Sequence, residues 1–485
     1  MIRIINGKIY DPANGKKGEA GEIWFDNGRI VEAGGQCETL DAEGCVVMAG
    51  GVDIHSHLAG EPLELLRDAN NPIIPTVSDT AKQYAGMGYT AVVNAAMPAL
   101  AARRTVLEEK AIKGIDAFNL TWVGENPAFR QIIENGTDAE LDQYLAWLLD
   151  VSCGWGLKLI NPNGGEEGWR EMTKRLMQAN CRMGLPHPLH LHHPYLAKPD
   201  AYVDVIKTMD MAEGMPLHLT HLQFYGYKKN QKGKLVSAAP ELAEAINARP
   251  NITADVGAVV FGQAAAVSCD TAFVGSLGAG KKGARSELWE CDGGMAVLPL
   301  KYSCDNLMGA TQFITGLELL LCVEKPEQML LTTDHPNGGP FSAYPYLIAM
   351  LMDKSFRDEE LKKVNPKALK HSILPTMDRE YTMDEIARLT RSGPAARLGA
   401  FRLGHLGVGA EGGVALYKEQ ADKQAMFSKA YAVLRGEDRV YAQPGREYDK
   451  EWVKSVIQPY MDVDFEGANL CDDFIKANNV VREER

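Results

Sequence analysis

Between Val46 and Leu398 the chain repeats one pattern, a short apolar run followed by a longer stretch with helical spacing. Eight runs stand out: VVMAGGVDIHSH, YTAVVNAAM, FNLTWVG, CGWGLKLINP, PLHLHH, MPLHLTHLQF, NITADVGAVVF and QMLLTTDHP. Short apolar strands alternating with helices predict βα units around a parallel sheet. Eight is the number that closes a (β/α)8 barrel of the TIM-like kind. The expected fold class is therefore α/β, with the barrel over residues 50–400. Residues 1–49 read instead as short strands with turns, Asn27-Gly28 being a strong hairpin signal. After Gly399 the turn-rich segment FRLGHLGVGAEGGVALYK returns to this character. Residues 1–49 and 401–445 are expected to form one small β-domain together, with 446–485 as a partly helical tail.

Composition narrows the function classes. Hydrophobic residues at 45% and charged residues at 24% are ordinary for a globular chain. No apolar run approaches the roughly 20 residues that span a bilayer, and the start, MIRIINGKIYDPANG, has neither a charged leader nor an apolar signal core. A cytoplasmic location is the expectation. The nine cysteines are scattered without a C-x-x-C pair, which argues against a disulfide framework, a thiolate zinc site or an iron–sulfur cluster. A net charge of −13 disfavours nucleic acid and anionic membrane as partners. An anionic substrate would need a local basic cluster. The loop Tyr225–Lys234, with Lys228, Lys229, Lys232 and Lys234, is the candidate, expected at the barrel mouth.

The chemistry-bearing residues sit at the ends of the predicted strands. In Asp53-Ile54-His55-Ser56-His57 the two imidazoles are two apart, so both face one side of a strand and can reach one ion. A pair of histidines satisfied by ordinary hydrogen bonds would show the same spacing. What favours metal is recurrence: His190 and His192 on PLHLHH, His218 and His221 on PLHLTHLQF, and Asp334-His335 ending LLTTDHP. Barrel strands deliver their C-terminal residues to one mouth, and imidazole with carboxylate suits zinc, manganese or iron better than calcium. His192 and His221 lie nearer their strand ends than His190 and His218, so they are the predicted ligands. His187, His193, His335, His371 and His405 are read as structural, with substrate orientation the alternative for His335 because it adjoins Asp334.

Lys158, in GWGLKLINPN, is the least obvious member. A free lysine is an ammonium at neutral pH and cannot ligate a metal. Burial beside two cations favours the neutral amine, which adds carbon dioxide to give a carbamate able to bridge two ions. The expected cofactors are two divalent cations, zinc first, with Lys158 carbamylated by CO2. Two metals generate a nucleophile at neutral pH and polarise a carbonyl. Asp334 then serves as catalytic acid/base. Asn161, His335, Asn337, Lys228 and Lys229 are the candidates for substrate binding.

H-x-H after the first strand, a lysine on the fourth, histidines on the fifth and sixth and an aspartate on the eighth resemble the hydantoinase and dihydroorotase branch of the amidohydrolases. A closer resemblance runs through GGVDIHSHLAG, GLKLINPNGG, LPHPLHLHH, HLTHLQFYGY and LLTTDHPNGGPFSAYPYLIAMLM. These stretches are similar to the amidohydrolase-like subunit of formylmethanofuran dehydrogenases and of the formyltransferase/hydrolase complex. The resemblance implies a hydrolase that interconverts N-formylmethanofuran with formate plus methanofuran inside a larger complex. It places the metal site on His55, His57, Lys158, His192, His221 and Asp334. Where that family carries a His-Thr-His segment after the second strand, this chain has Ala101-Ala102-Arg103-Arg104-Thr105. Two other readings are a cyclic amidase acting on hydantoin or dihydropyrimidine rings and a structural subunit without activity.

Overall fold

The computed structural model describes residues 1–124, 127–162, 165–270, 274, 289–291, 295–459 and 472–483. Eight parallel strands form the central sheet: β1 (Gly51–Ser56), β2 (Tyr89–Met97), β3 (Asp116–Trp122), β4 (Gly156–Ile160), β5 (Leu189–His192), β6 (Leu217–Leu219), β7 (Ile252–Asp255) and β8 (Met329–Leu330). Each pairs in parallel with the next. A bridge from Ser56 to His335 brings the first and last segments together and closes the ring. All eight predicted strands are present, and the fold is the α/β barrel. Every residue of β2 is buried, as expected when helices cover one face and the barrel interior the other.

Alternation sorts the strand residues into two sets. Leu189, Leu191, Leu217, Leu219, Ile252 and Ala254 pack outward in the main apolar core. The intervening residues turn inward, and the pairing register puts Lys158, His190, His218 and Thr253 side by side in one layer of the barrel. His192 stands one layer higher, opposite Ile160. This layering separates the paired histidines that sequence spacing alone left adjacent.

The strands outside the barrel come from both ends of the chain. Ile2–Asp11, Lys16–Asp26, Arg29–Ile30, Glu38–Asp41 and Cys45–Ala49 share a sheet with Val414–Lys418 and Ala432–Leu434. Its core includes Ile4, Ile9, Phe25, Val47, Val414 and Leu416. Asn27 and Gly28 make the expected turn with φ of 45° and 82°. A Cβ on Gly28 would lie 2.6 Å from Gly436 Cα, so glycine is required there for space as well as conformation.

One boundary differs from the sequence reading. Val440–Ala442, expected within the small β-domain, pairs with β3 of the barrel and carries Val480–Arg482 on its other edge. The reason is an open edge. Strand β4 meets β3 only from Leu120 onward, which leaves the lower half of β3 unpaired on that side, and Tyr441 stacks on Phe118 at 4.6 Å. A second feature not foreseen is an insertion between β7 and β8, in which Gly262–Ser268 pairs antiparallel with Met295–Tyr302.

The helix Ala102–Ala111 buries Glu109 against β2 and β3, where it accepts from Asn94 Nδ2 at 3.2 Å and Asn119 Nδ2 at 3.0 Å. Burial pushes this carboxyl up from 4.5 to about 7. The folded state therefore binds more protons than the unfolded state between those values, and stability falls as pH rises through about 7. Glu109→Gln removes that penalty, and Asn119 Oδ1, unpartnered among the described residues, can turn to accept from the new amide. The expected gain is about 1–3 kcal/mol at pH 8 and much less near pH 5, read from urea midpoints. An equal shift at both values would show that ionisation is not its source.

Candidate metal centre

Six side chains from the ends of β1, β4, β5 and β6 and from the β8 exit meet at the top of the barrel, Lys158 rising from the layer just described. His55, Lys158, His192, His221 and Asp334 are each at most 6% exposed, and His57 is 7% exposed. A register shift between Asp53 and Ser56 marks a bulge in β1. Bulges re-aim side chains, and here Asp53 is held among the surrounding helices by Tyr84 and Tyr344 hydroxyls at 2.8 and 2.6 Å while His55 turns inward. Strand ends leave the barrel sharply: Asn161, His221 and Asp334 all take left-handed φ, at 40°, 36° and 48°. Such strain clusters at functional sites. Gly257 makes room for it, since a Cβ there would sit 2.3 Å from His221 Cβ.

The donor atoms are close together. Asp334 Oδ1 lies 3.1 Å from His55 Nε2 and 3.3 Å from His57 Nε2. Lys158 Nζ lies 3.5 Å from His55 Nε2, and His192 Nδ1 lies 3.0 Å from His221 Nε2. Donors sharing a tetrahedral zinc with bonds of about 2.0–2.1 Å are separated by roughly 3.3–3.4 Å, so these spacings suit a common ion. His192 Nε2 and His221 Nδ1 are buried with no hydrogen-bond partner among the described residues, a state that protein alone leaves costly. His55, His57 and Asp334 can together hold a cation.

Electrostatics point the same way. Burial and the Lys158 ammonium push His55 down, yet Asp334 and Asp255 outweigh them and raise it to about 9. A buried cluster that draws a proton onto an imidazole is a place that calls for positive charge. Burial pushes the Asp334 carboxyl up, but His55, His57 and His221 hold it well below the ordinary carboxylate range. Burial brings Lys158 down to about 8 against the pull of Asp334 and Asp255, so the neutral amine is accessible near neutral pH.

Asp255, at the end of β7, was not singled out from sequence. Its carboxylate is fully buried beneath the site and takes four contacts: His55 Nδ1 at 2.9 Å, His218 Nε2 at 3.2 Å, the His221 backbone N–H at 2.8 Å and the Thr332 hydroxyl at 3.3 Å. His55, His190 and Asp255 also converge closely enough for a cation. Asp255 and His190 do not line the cavity, however, and Asp255 is already committed to four donors. It orients His55 and His221 from below, as carboxylates behind metal-bound histidines do. The signal available in sequence was an acid at the C-terminal end of an apolar strand, ITAD.

His190 and His218 lie in the lower layer with His187, whose Nε2 is 3.0 Å from His190 Nδ1. The cavity above has a volume of about 410 Å3 and is lined by all six predicted ligands and by Asn337. The other substrate-binding candidates are placed elsewhere. Asn161 and His335 do not line it; the His335 backbone carbonyl instead accepts from His57 N at 2.7 Å. Lys228 is paired with Glu241, and Lys229 points to solvent from a short hairpin. Among the described residues, exposed Lys301 of the inserted hairpin lines the cavity, and the hairpin also supplies Val267, Leu298, Leu300 and Tyr302 to a lining that includes Phe224. That hairpin was missed because its placement depends on a long-range insertion that no local period announces.

A (β/α)8 barrel whose strand ends carry imidazole, amine and carboxylate donors to one mouth is a metal-dependent hydrolase barrel. The chain belongs to the amidohydrolase family, whose sequence pattern matches residues 38–441. It is 36% identical over 485 aligned residues to FhcA of the formyltransferase/hydrolase complex of Methylorubrum extorquens, covering 90% of this chain and 87% of that one. It is 34% identical over 533 aligned residues to protein FwdA of Methanocaldococcus jannaschii, covering 98% and 93%. The solved structure of the FhcABCD complex from Methylorubrum extorquens with methylofuran contains a chain that superimposes with a TM-score of 0.90 at 32% identity, over 97% of both chains. Among the described residues no helix is long and apolar enough to cross a membrane.

Proposed function

We propose that this chain is a binuclear-metal amidohydrolase that interconverts an N-formylated amine of the methanofuran type with formate and the free amine, as one component of a larger complex. The observation that carries the proposal is the convergence of His55, His57, Lys158, His192, His221 and Asp334 on one cavity in a chain so similar to FhcA. The ions are proposed to be zinc, and Lys158 to be carbamylated. Support for the latter is a buried amine brought down to about 8, since only the neutral amine adds CO2.

Two bound divalent ions supply Lewis acidity and water activation at neutral pH. The chain's own residues do the rest. Asp334 accepts one proton from the attacking water and delivers it to the amine nitrogen as the carbon–nitrogen bond breaks, leaving the free amine and formic acid, which gives up its remaining proton to solvent as formate. Asp255 holds His55 and His221 in place. The apolar lining, with Leu298, Leu300 and Phe224, suits a flat ring attached to the amine. Lys301 at the rim meets a carboxylate-bearing tail, a role that Lys228, held by Glu241, is not placed to fill.

The test is purification without chelators, a count of metal per chain, and formate release from N-formylmethanofuran beside hydantoin as a control. Metal with formate release supports the proposal. Turnover of hydantoin alone would replace the substrate, and absence of both metal and turnover would make this a structural subunit.

A further inference from the structure

The turn that carries Asp334 is braced from outside the barrel. Asn337 is half-buried at the cavity wall, three residues beyond Asp334. Its side-chain Oδ1 accepts from the Val267 backbone N–H at 2.8 Å, and its Nδ2 donates to Asp334 Oδ1 at 3.1 Å. A backbone N–H can only donate, so the amide is oriented without ambiguity: the oxygen faces Val267 and the NH2 faces the carboxylate. Two further bonds tie the same turn to the inserted hairpin. Tyr302 OH donates to the Asn337 carbonyl at 3.0 Å, and the Ala265 N–H donates to the Pro336 carbonyl at 3.1 Å.

We infer that Asn337 is a positioning residue that fixes the Asp334 carboxylate to the inserted hairpin, so the element walling the cavity also aims the group that handles the proton. This rests on the proposed acid/base role of Asp334. The carboxylate sits on a strained left-handed residue, and its other close partners, His55 and His57, are ligands of the same proposed site, so Asn337 ties it to an element that is not part of the metal centre. A hydrogen bond from a neutral amide restrains it without supplying a competing charge. Asn337 acts through Asp334 and differs in this from Phe224 or Leu300, which shape the cavity alone.

Two variants separate the halves of the amide. Asn337→Asp keeps an oxygen for the Val267 N–H but has no donor for Asp334, whereas Asn337→Ala loses both. In the full metal-loaded chain, Asn337→Asp is expected to lower kcat at least about tenfold to a hundredfold, the loss of one hydrogen bond to a charged group with carboxylate repulsion added, with KM and metal content within about twofold of the parent. Asn337→Ala is expected to lower kcat comparably and to raise KM as the wall loosens. A structural readout accompanies them: hydrogen exchange at the Val267 amide, measured on metal-free protein, should match the parent in Asn337→Asp and be faster in Asn337→Ala. Parental kcat in both variants, or loss of metal in step with activity in Asn337→Asp, overturns the inference. Asp334→Asn assayed alongside distinguishes the failures. If it retains turnover, the acid/base role falls and this inference with it; if it is inactive while both Asn337 variants keep parental turnover, only this inference falls.

Discussion

Asp334→Asn is expected to lower kcat by about a thousandfold or more, at the upper end of what one acid/base group contributes, because the residue both shuttles the proton and helps hold metal. Asparagine has nearly the same shape and still accepts from Asn337, so the fold should survive. What it lacks is the negative charge that His55, His57 and His221 stabilise and an oxygen able to take a proton at neutral pH. The check is single-turnover formate release with metal counted on the same sample. A variant that keeps its metal and loses less than about tenfold in turnover would assign the proton transfer to another group.

Lys158→Ala is the second large effect. The side chain occupies the barrel interior between His55 and the β5 histidines, 2% exposed, and no other described anionic side chain besides Asp334 lines the cavity. Removing it takes away the proposed bridge between two ions. Bound metal is expected to fall from about two per chain to one or fewer, and turnover by at least about a hundredfold. Because the deletion leaves a hole of the right polarity, acetate or propionate should restore part of both by replacing the carbamate. Full metal occupancy in the alanine variant without added carboxylate would show that Lys158 is not the bridge and would leave it as a buried amine.

Much of the molecule was legible in the sequence. All eight barrel strands appear as apolar runs because strands covered on both faces must be apolar nearly throughout, as in β2. The convergence of His55, His57, Lys158 and Asp334 follows from strand alternation and from the rule that parallel strands deliver their ends to one side. His192 and His221 line the cavity and His190 and His218 do not, since His192 is one two-residue step up its strand from His190 and His221 lies beyond the end of β6 on a left-handed turn. Asn337 reads in the sequence as a substrate-binding candidate, and its bonds to the Val267 amide and to Asp334 have no sequence signature.

Other features depend on contacts between distant segments. Asp255 reads locally as a plain strand-end acid; only barrel closure brings it beneath His55, two hundred positions away, and beside His218. Val440–Ala442 reads as part of a turn-rich β segment, and only the late start of β4 opposite β3 opens the edge it fills. The lysines of the 225–234 loop read as a basic cluster facing a mouth, but folding pairs Lys228 with Glu241 and brings Lys301 to the rim instead. The order of amino acids was enough to set the elements, the inward and outward faces of each strand and the kinds of donor atom available, because these follow from the local period of the backbone. Which donors stand at the same height, which carboxylate lies behind which imidazole and which wall encloses the substrate come from strand register and ring closure, which join residues far apart in the chain and so exist only once it has folded.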